Sequence, residues 1–317
     1  MASSDGLKVT ESLAPRSVGV IGLGLMGRGI AVNLDKAGYL AAAWDIAPDA
    51  FAKAALSADV SSLTPAAIAD KCDAVIFVVP ASRDIETCLS GPQGLLTVKR
   101  SGQVIIDLTT SFPPDTLRLI DIAARAGRAY LDGGMSGGAM GADSARLTLM
   151  MGGNAAVLER CRPMLEKIAA KIIHVGPSGA GHTIKLIHNM ILHSIFFATS
   201  EGCRMAERAG IDLATAIEVL NSGNARSYVS EMRFPRHILS GTFDGRSYVS
   251  TLAKDLGMAV ELARNMNVPA PYGNTTSALL AEAVAQGHGR DDFTRLYKMM
   301  DELLDHYVAR HPNEVET

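Results

Sequence analysis

Three glycines at a fixed spacing could hold the diphosphate of a dinucleotide. Gly22, Gly24 and Gly27 form the pattern G-x-G-x-x-G, which follows the apolar run at 17–21 and precedes a helical stretch at 26–37. In such a loop the first glycine allows a tight turn, the second lets the backbone approach a pyrophosphate, and the third lets helix and strand pack closely. The diphosphate then lies at the helix N-terminus, where main-chain N–H groups point outward. We therefore expect a dinucleotide-binding site at this turn.

Asp45 is the residue expected to select between the two nicotinamide dinucleotides. It follows the next strand-like run, AAAW. A carboxylate at this place can accept hydrogen bonds from both ribose hydroxyls of NAD, and its charge repels the additional phosphate of NADP. Arg28, next to the glycine loop, leaves some ambiguity between NAD and NADP. The sequence thus predicts NAD, with NADP as the alternative.

Lys185 and Asn189 are candidates for proton transfer and substrate alignment. They are four residues apart in a long helical stretch, so their side chains leave the same helix face. A lysine that is partly desolvated among apolar neighbours can have its pKa lowered towards neutrality, and it can then exchange a proton with a substrate hydroxyl. Asn189 can orient the same substrate through its amide. A solvated surface lysine is the plainer interpretation of Lys185 taken alone.

The glycine-rich segment DGGMSGG at 132–138 is a candidate for binding an anion. The residues after Ser136, which are Gly137 and Gly138, leave main-chain N–H groups available to surround a carboxylate. Together with Lys185, this arrangement suits a small hydroxy acid. Taken alone, a glycine-rich segment of this kind is usually just a turn.

Short apolar runs alternate with helical stretches over residues 16–176. Their continuous β-branched residues are typical of parallel strands that helices cover on both faces. The runs are SVGVIGLG, AAAWDI, DAVIFVVP, QVIIDLTT, RAYLDGG, LTLMMGG and KIIHVG. They predict a doubly wound α/β domain with a mostly parallel sheet, the Rossmann arrangement. Ligands of such sheets bind beyond the carboxyl ends of the strands, which adds Val79, Pro80, Thr109 and Thr110 to the candidates, with plain turn residues as the alternative.

The second half of the chain is predicted to be all helical. After residue 177 the strand-like runs stop, and long segments rich in Ala, Leu, Met and Glu follow. We predict an all-α C-terminal domain at 179–317, preceded by a dinucleotide-binding domain at 16–178 and a disordered tail at 1–15. The first helix, about 181–209, is apolar on nearly every face, so it must be buried on several faces or meet another subunit. We therefore expect a homodimer or homotetramer.

Composition restricts the partners of the chain. The 317 residues include 30 Lys and Arg against 33 Asp and Glu, a formal charge of −3, so no basic excess suits nucleic acid or an anionic membrane. The four cysteines (Cys72, Cys88, Cys161 and Cys203) lie far apart, which favours a reducing compartment and a role as small core residues. No apolar run reaches the roughly 18 residues of a membrane span. We expect a soluble cytoplasmic protein with a small-molecule partner.

Metal-dependent and acyl-transfer chemistry find no support in the sequence. The histidines at 174, 182, 188 and 193 form no HExxH pattern, so ordinary hydrogen-bonded or solvated side chains are expected there. The surroundings of Ser136 are not a G-x-S-x-G elbow. We predict no metal site.

The chain resembles the β-hydroxyacid dehydrogenase family, which includes 3-hydroxyisobutyrate dehydrogenase and tartronate semialdehyde reductase. The resemblance covers nearly the whole chain through four ordered motifs, VIGLGLMGRGIAVNLDKAG, DGGMSGG, GAGHTIKLIHN and AKDLGMAVELA. It implies an oxidoreductase that transfers a hydride between NAD(P) and a small 3-hydroxy acid or its semialdehyde. It further implies that Lys185 is the catalytic acid/base and that Ser136, its two glycines and Asn189 bind substrate. The implied cofactor contacts are Gly22, Leu23, Gly24, Leu25, Met26, Gly27, Val79, Pro80, Thr110 and Lys254.

The chain also departs from the family pattern. The family segment usually reads DAPVSGG, whereas Gly133, Gly134 and Met135 replace Ala, Pro and Val here. Losing proline and gaining glycine softens this loop.

Arginine side chains suit carboxylates, sulfonates or phosphates. We hypothesise that Arg226 or Arg146 recognises a second anionic or polyhydroxylated group of the substrate; surface salt bridges are the plainer alternative.

Two other functions are alternatives. A phosphogluconate-type decarboxylating dehydrogenase shares the architecture but has a much longer helical region, which is missing here. A non-catalytic NAD-binding scaffold has no reason to place Lys185 and Asn189 on one helix face near Ser136.

Imine reduction on the same fold is disfavoured, because that chemistry does not need a lysine acid/base.

Overall fold

The computed structural model describes residues 14–310, in which an eight-stranded sheet is followed by helices. The described residues divide into two compact units, and the division in sequence falls between Lys185 and Leu186. Residues 1–13, most of the tail predicted to be disordered, lie outside the described part of the chain. The domain limits at 16–178 and 179–317 stay a prediction.

The first unit alternates strands and helices along the chain. Its elements are β1 Val18–Ile21, α1 Leu25–Lys36, β2 Leu40–Trp44, α2 Ala50–Ala54, β3 Ser61–Ser62, α3 Pro65–Lys71, β4 Ala74–Phe77, α4 Ser82–Ser90, a 3₁₀ turn Leu95–Thr97, β5 Val104–Asp107, α5 Pro113–Arg125, β6 Ala129–Ser136, α6 Gly138–Asp143, β7 Leu147–Gly153, α7 Ala155–Leu165 and β8 Ala169–Gly176. Every run predicted as a strand contains one. Strand β3 was not predicted, because its two serines at the edge of the sheet carry no apolar signal.

The sheet is doubly wound and mostly parallel, as predicted. Its strand order is β3-β2-β1-β4-β5-β6-β7-β8, and β6 and β7 are its antiparallel pair. The chain leaves β1 towards β2 and β3 and returns to β4 on the other side of β1. In open α/β sheets this reversal opens a crevice at the carboxyl ends of the strands, where ligands bind.

Strand register brings the carboxyl ends into one row. Ile21 lies opposite Trp44 on one side and opposite Phe77 on the other. Phe77 in turn lies opposite Asp107, and Asp107 lies opposite Asp132. The loops that follow β1, β2, β4 and β5 therefore emerge along the same edge of the sheet.

Burial explains why the strand runs are continuously apolar. All residues of β1, β4 and β5 are buried, since helices cover both faces of the sheet. The four cysteines are buried free thiols, which confirms their predicted place as core residues. Burial also raises the pKa of the Cys72 thiol to about 11, which makes this thiol a poor nucleophile.

The second unit is helical, as predicted. From the end of the sheet onward the elements are α8 Ala180–Arg208, α9 Leu213–Ser222, a π-helical segment Val229–Leu239, α10 Val249–Asn265, α11 Pro271–Ala285, 3₁₀ turns His288–Arg290 and Phe293–Met299, and α12 Met300–Arg310. Its core combines aliphatic and aromatic side chains, with the ring centroids of Phe196 and Phe293 5.2 Å apart and those of Phe234 and Tyr297 5.3 Å apart.

Helix α8 matches the predicted range of about 181–209 to within one residue at each end. Leu186 and Phe196 are buried, but Ile191 is 51% exposed and Met205 is 71% exposed. Within this chain α8 is therefore not covered on every face. Over residues 14–310, none of the helices has both the length and the apolar composition that crossing a membrane requires.

Candidate active site

The glycine loop after β1 has the shape that a dinucleotide requires. Gly22 has a φ of +98°, and a Cβ there would overlap the carbonyl oxygen of Val78. A Cβ on Gly27 would overlap the carbonyl oxygen of Gly22, so the third glycine brings α1 against the loop. Gly24 is the N-cap of α1, and apart from its own chain neighbours no atom of the described residues lies within 4 Å of where its Cβ would be. The helix N-terminus is thus open to a phosphate, so the residues present fit a bound dinucleotide.

Asp45 follows β2 at the same edge of the sheet. Its Oδ2 accepts the main-chain N–H of Leu23 at 2.6 Å, and its Oδ1 accepts the N–H of Ala47 at 2.8 Å. These two hydrogen bonds fix the carboxylate beside the glycine loop. Ile46, the next residue, is 85% exposed and offers an apolar surface next to this carboxylate.

The loops after β4 and β5 are joined by a threonine hydroxyl. The N–H of Val79 donates to Thr109 Oγ1 at 3.3 Å, and the N–H of Thr109 donates to Asp107 Oδ1 at 2.9 Å. Thr109 is buried, whereas Thr110 is half-buried and Pro80 is exposed. The structure therefore places the predicted cofactor residues of both loops at the sheet edge that also carries the glycine loop.

Lys185 lies in the second turn of α8, against β6. Its Nζ donates a hydrogen bond to the carbonyl oxygen of Met135 at 2.7 Å. The side chain is half-buried, and its stem crosses Gly134, where a Cβ would lie 2.5 Å from the lysine Cβ. The structure thus brings Lys185 next to the backbone of the residue that precedes Ser136.

Ser136 and the two glycines after it form the turn from β6 into α6. Ser136 is half-buried, and Gly137 and Gly138 are exposed. No atom lies within 4 Å of the position a Cβ would take on Gly138. The main chain of this turn is therefore exposed, and its role in binding an anion stays a prediction.

A buried carboxylate fixes the start of α8. Asp132 is fully buried, and its Oδ1 and Oδ2 accept the main-chain N–H groups of Gly179 at 2.7 Å and His182 at 3.0 Å. Asp132 was not predicted to have a role. The available signal was its position four residues before Ser136 in the motif DGGMSGG.

His182 belongs to a second buried group of polar side chains. Its Nδ1 is 2.7 Å from Thr116 Oγ1, and its Nε2 is 3.3 Å from the carbonyl oxygen of Asp107. Asp107 Oδ2 accepts the hydroxyl of Tyr130 at 2.8 Å. Burial raises the pKa of the Asp107 carboxyl and raises that of the Tyr130 hydroxyl well above its usual value. Within residues 14–310, no group of three His, Cys, Asp or Glu side chains has an arrangement that could hold a metal ion.

Asn189 and Lys254 meet at one carboxylate in the second unit. Asn189 is buried, and its Nδ2 donates to Asp255 Oδ2 at 2.8 Å. Lys254 Nζ lies 3.4 Å from Asp255 Oδ1. His188 Nδ1 lies 3.2 Å from Asn189 Oδ1, so both ends of the amide have neighbours. Asp255 was not predicted as a site residue, although it directly follows Lys254.

The two arginines proposed for a second anionic group are both on the surface. The side chain of Arg226 is 64% exposed, and its Nη1 lies 3.5 Å from Glu231 Oε1. Arg226 follows α9, so it is on a different element from Asn189. Arg146 is exposed just before β7. Their roles stay predictions.

Comparisons with known proteins cover both units. Residues 17–176 match a family model described as the NAD-binding domain of 6-phosphogluconate dehydrogenase. Residues 179–300 match one described as the NAD-binding region of NADP-dependent 3-hydroxyisobutyrate dehydrogenase.

Relatives of assigned activity match over almost their whole length. The chain is 32% identical over 286 residues to 2-(hydroxymethyl)glutarate dehydrogenase of Eubacterium barkeri, which covers 90% of this chain and 95% of the relative. It is 31% identical to L-threonate dehydrogenase of Cupriavidus necator, covering 90% and 96%.

A solved structure supports the same relationship. Mycobacterium tuberculosis 3-hydroxyisobutyrate dehydrogenase, solved with L-serine, has a TM-score of 0.81 and 29% identity, covering 90% of this chain and 99% of that one. The family models, the relatives and this structure agree with the glycine loop and the motifs described above. The chain therefore belongs to the β-hydroxyacid dehydrogenase family of the 3-hydroxyisobutyrate dehydrogenase type, whose members are NAD(P)-dependent oxidoreductases acting on CH–OH groups.

Proposed function

We propose that this protein is an NAD-dependent dehydrogenase that oxidises the hydroxyl group of a small 3-hydroxy acid or reduces the matching semialdehyde, with Lys185 as the acid/base. The observation that carries the proposal is the position of the Lys185 ammonium, 2.7 Å from the carbonyl oxygen of Met135. This places the lysine beside the glycine turn that starts at Ser136. An acid/base and an anion cradle are then adjacent, which suits a substrate that has both a hydroxyl group and a carboxylate.

The cofactor would be held by the edge of the sheet. The first turn of α1 would bind the diphosphate, Asp45 would accept the ribose hydroxyls, and the loops at Val79 and Thr110 would line the crevice. Lys254 is a further proposed contact. When bound, the oxidised nicotinamide supplies a hydride acceptor at its C4 atom.

Lys185 would move the proton of the reaction. In the oxidising direction the neutral amine accepts the hydroxyl proton of the substrate while the carbinol carbon loses its hydride, and a carbonyl group forms. In the reducing direction the ammonium returns this proton to the carbonyl oxygen. Met135 O accepts one N–H of Lys185, so it orients the nitrogen in both protonation states.

The turn after β6 would bind the carboxylate of the substrate. The hydroxyl of Ser136 and the exposed main chain of Gly137 and Gly138 provide donors for the two oxygens. Asn189 would align the carbinol, and its hydrogen bond to Asp255 fixes the orientation of its amide. Asp255 is then a support for two proposed site residues, Asn189 and Lys254.

Substrates with a second anionic or polyhydroxylated group are our preferred class. One relative is named for 2-(hydroxymethyl)glutarate, a dicarboxylate, and another for threonate, a polyhydroxy acid. Both agree with the hypothesis that Arg226 or Arg146 recognises such a group. Arg226→Ala should raise KM most for doubly anionic substrates, with Arg146→Ala as the parallel variant. Equal effects on singly and doubly charged acids would remove this assignment for the residue tested.

The two alternatives are less well supported. The chain matches relatives named 2-(hydroxymethyl)glutarate dehydrogenase and L-threonate dehydrogenase over 95–96% of their length, which favours a dehydrogenase of a small hydroxy acid. A scaffold does not require a lysine packed against a substrate-binding turn.

The direct test is a panel of 3-hydroxy acids, sugar acids and hydroxy-sulfonates, assayed with NAD and with NADP by the absorbance of the reduced nicotinamide. Lys185→Ala should lower kcat about 10²–10⁴-fold on any substrate found, which is the usual contribution of a positioned acid/base. NAD binding should persist, and small primary amines should restore part of the rate. Lys171→Ala, which removes an exposed lysine in β8, is the matched control. A Lys185→Ala variant that turns over at the wild-type rate would overturn the proposed role.

Assembly and location are proposed on separate grounds. The exposed apolar side chains of Ile187, Ile191 and Met205 on α8 support a homodimer or homotetramer, since such surfaces usually meet a partner. Light scattering coupled to size-exclusion chromatography measures this directly. Four reduced cysteines are consistent with the predicted cytoplasmic location.

A further inference from the structure

We propose that Gly134 is a positioning residue for Lys185, because it leaves the space in which the lysine stem lies against β6. This inference rests on the acid/base role proposed above for Lys185. A Cβ on Gly134 would lie 2.5 Å from Cβ, 2.9 Å from Cγ and 3.0 Å from Cδ of Lys185. These separations are far inside van der Waals contact, so a Cβ at position 134 requires Lys185 or β6 to shift in this structure.

A change of rotamer at Lys185 cannot relieve the overlap. The nearest atom is the lysine Cβ, and the backbone of α8 fixes that atom whatever the side-chain torsions are. Either α8 or β6 must move. The start of α8 is held by Asp132, whose carboxylate accepts the N–H groups of Gly179 and His182. A side chain at position 134 would therefore push directly on the turn of α8 that carries Lys185.

The displacement matters because the ammonium end of Lys185 is also placed by β6. Its Nζ donates to the carbonyl oxygen of Met135, the residue after Gly134. Successive strand residues alternate between the two faces of a sheet, so Asp132, Gly134 and Ser136 lie on one face of β6. On that face, Asp132 caps the start of α8 and Gly134 leaves space for the stem of Lys185. Ser136 begins the turn that is proposed to bind the substrate carboxylate.

Gly133 provides a matched control within the same strand. A Cβ on Gly133 would meet Met151, with its sulfur at 2.6 Å, and Leu108, rather than Lys185. These contacts are with the ends of flexible side chains, which can move aside. Gly133→Ala thus adds the same methyl group to the same strand on the opposite face.

A double-variant comparison tests the contact without any substrate or cofactor. Gly134→Ala should lower the urea midpoint of unfolding clearly in the wild-type background. In a Lys185→Gly background the overlapping atoms are gone, so Gly134→Ala should then have little effect or raise the midpoint. Because this background removes the overlap, the measurement also succeeds if Gly134→Ala alone does not fold. Equal losses in both backgrounds would overturn the proposal.

Kinetics then test the positioning role. Gly134→Ala should keep the wild-type Kd for NADH, lower kcat by about 10²-fold, as displacements near 1 Å commonly do, and shift the pH midpoint of kcat. Gly133→Ala should leave that pH midpoint in place. Identical pH profiles for Gly134→Ala and the wild type would overturn the inference. If the wild type turns over no substrate in the panel, the proposed function fails, while the urea comparison still decides the contact.

Discussion

Asp132 Oδ2 accepts the main-chain N–H of His182 at 3.0 Å, one helical turn before Lys185. The same carboxylate accepts the N–H of Gly179 at 2.7 Å, so one buried side chain supplies both oxygens to the start of α8. Helix N-termini leave N–H groups without intrahelical partners, and a carboxylate there is favoured by the helix dipole as well. The orientation of the turn that carries Lys185 thus depends on a residue of β6.

Asp132→Ala should destabilise the fold strongly. It removes two hydrogen bonds to a charged acceptor and leaves buried N–H groups unpaired, which together cost about 2–5 kcal/mol. Asp132→Asn keeps one carbonyl oxygen and should lose less. Urea unfolding measures both variants, and Asp121→Ala, which removes an exposed carboxylate paired with Arg125, should change stability by under about 1 kcal/mol. A loss no larger for Asp132→Ala than for Asp121→Ala would contradict this account.

Asp107 should give the fold a pH dependence of defined sign. Burial raises the pKa of this carboxyl in the folded protein. The folded state therefore binds the proton more tightly than the unfolded chain does. The stabilisation that the protonated Asp107 carboxyl gives the fold is fully present below the unfolded pKa of about 3.9. It is lost as pH rises through the raised folded pKa.

Asp107→Asn removes this titration. Relative to the wild type, the variant should become progressively more stable as pH increases from about 4 towards the raised pKa of Asp107. His182 and Tyr130 contact Asp107 and are present in both proteins. Urea unfolding at a series of pH values gives the difference directly. A difference that stays constant with pH would contradict the prediction.

Asp49, an exposed carboxylate, is the control, because its effect on the pH dependence of stability has the opposite sign. The hydrogen bond and charge of Lys53 lower the pKa of Asp49. Its contribution to stability is therefore present above the unfolded pKa and is lost as pH falls through the lowered folded value. Asp49→Asn should accordingly change the pH dependence in the acid range only.

Local patterns in the sequence predicted most of the fold. The strand runs, the glycine loop and α8 depend on neighbouring residues, so their spacing is visible along the chain. The direction of β7 and the strand β3 were not resolved, because strand direction and edge pairing depend on distant partners. The buried groups around Lys185 were missed for the same reason: His182 Nε2 and the carbonyl oxygen of Asp107 are 75 positions apart in sequence.

In the candidate site too, contacts with residues distant in sequence could not be predicted. Types and spacing identified Lys185 and Ser136, but they could not show that the lysine nitrogen is held by the carbonyl oxygen of Met135. Main-chain acceptors have no sequence signature. The glycine at position 134 was noticed only as a departure from a family pattern, and its contact with the lysine stem gives that departure a physical reason.

Asp45 should control the choice of cofactor. Its carboxylate is fixed by the N–H groups of Leu23 and Ala47, so its charge stays where the ribose of a bound dinucleotide would lie. Asp45→Asn removes the charge, and hydrogen bonds to a charged group are worth roughly 10–100-fold in binding. The ratio of kcat/KM with NAD to kcat/KM with NADP should fall by about this factor. Asp49→Asn, at an exposed carboxylate beyond the loop, should leave the ratio unchanged, and an unchanged ratio for Asp45→Asn would contradict the NAD assignment.

Arg128 should stabilise the end of the sheet at which the parallel strands begin, without affecting catalysis. It directly precedes β6 and is only 3% exposed, and its guanidinium donates to Gln103 Oε1 and to the carbonyl oxygens of Leu95 at 2.6 Å and Val98 at 2.8 Å. Burial lowers the pKa of this guanidinium, so the fold maintains a desolvated charge there through these acceptors.

Arg128→Met removes the guanidinium donor from Gln103 Oε1 and from the carbonyl oxygen of Val98, at about 1–3 kcal/mol for each group that water cannot reach, whereas the carbonyl oxygen of Leu95 still accepts the N–H of Val98. Arg128→Lys keeps the charge but cannot reproduce the planar fork, so it should be intermediate. Since the cofactor loops emerge from the carboxyl ends of the parallel strands, kcat and KM of the folded variants should match the wild type. Thermal unfolding and steady-state kinetics together check both statements. A kcat that falls in proportion to the loss of stability would show that this end of the sheet is coupled to the site.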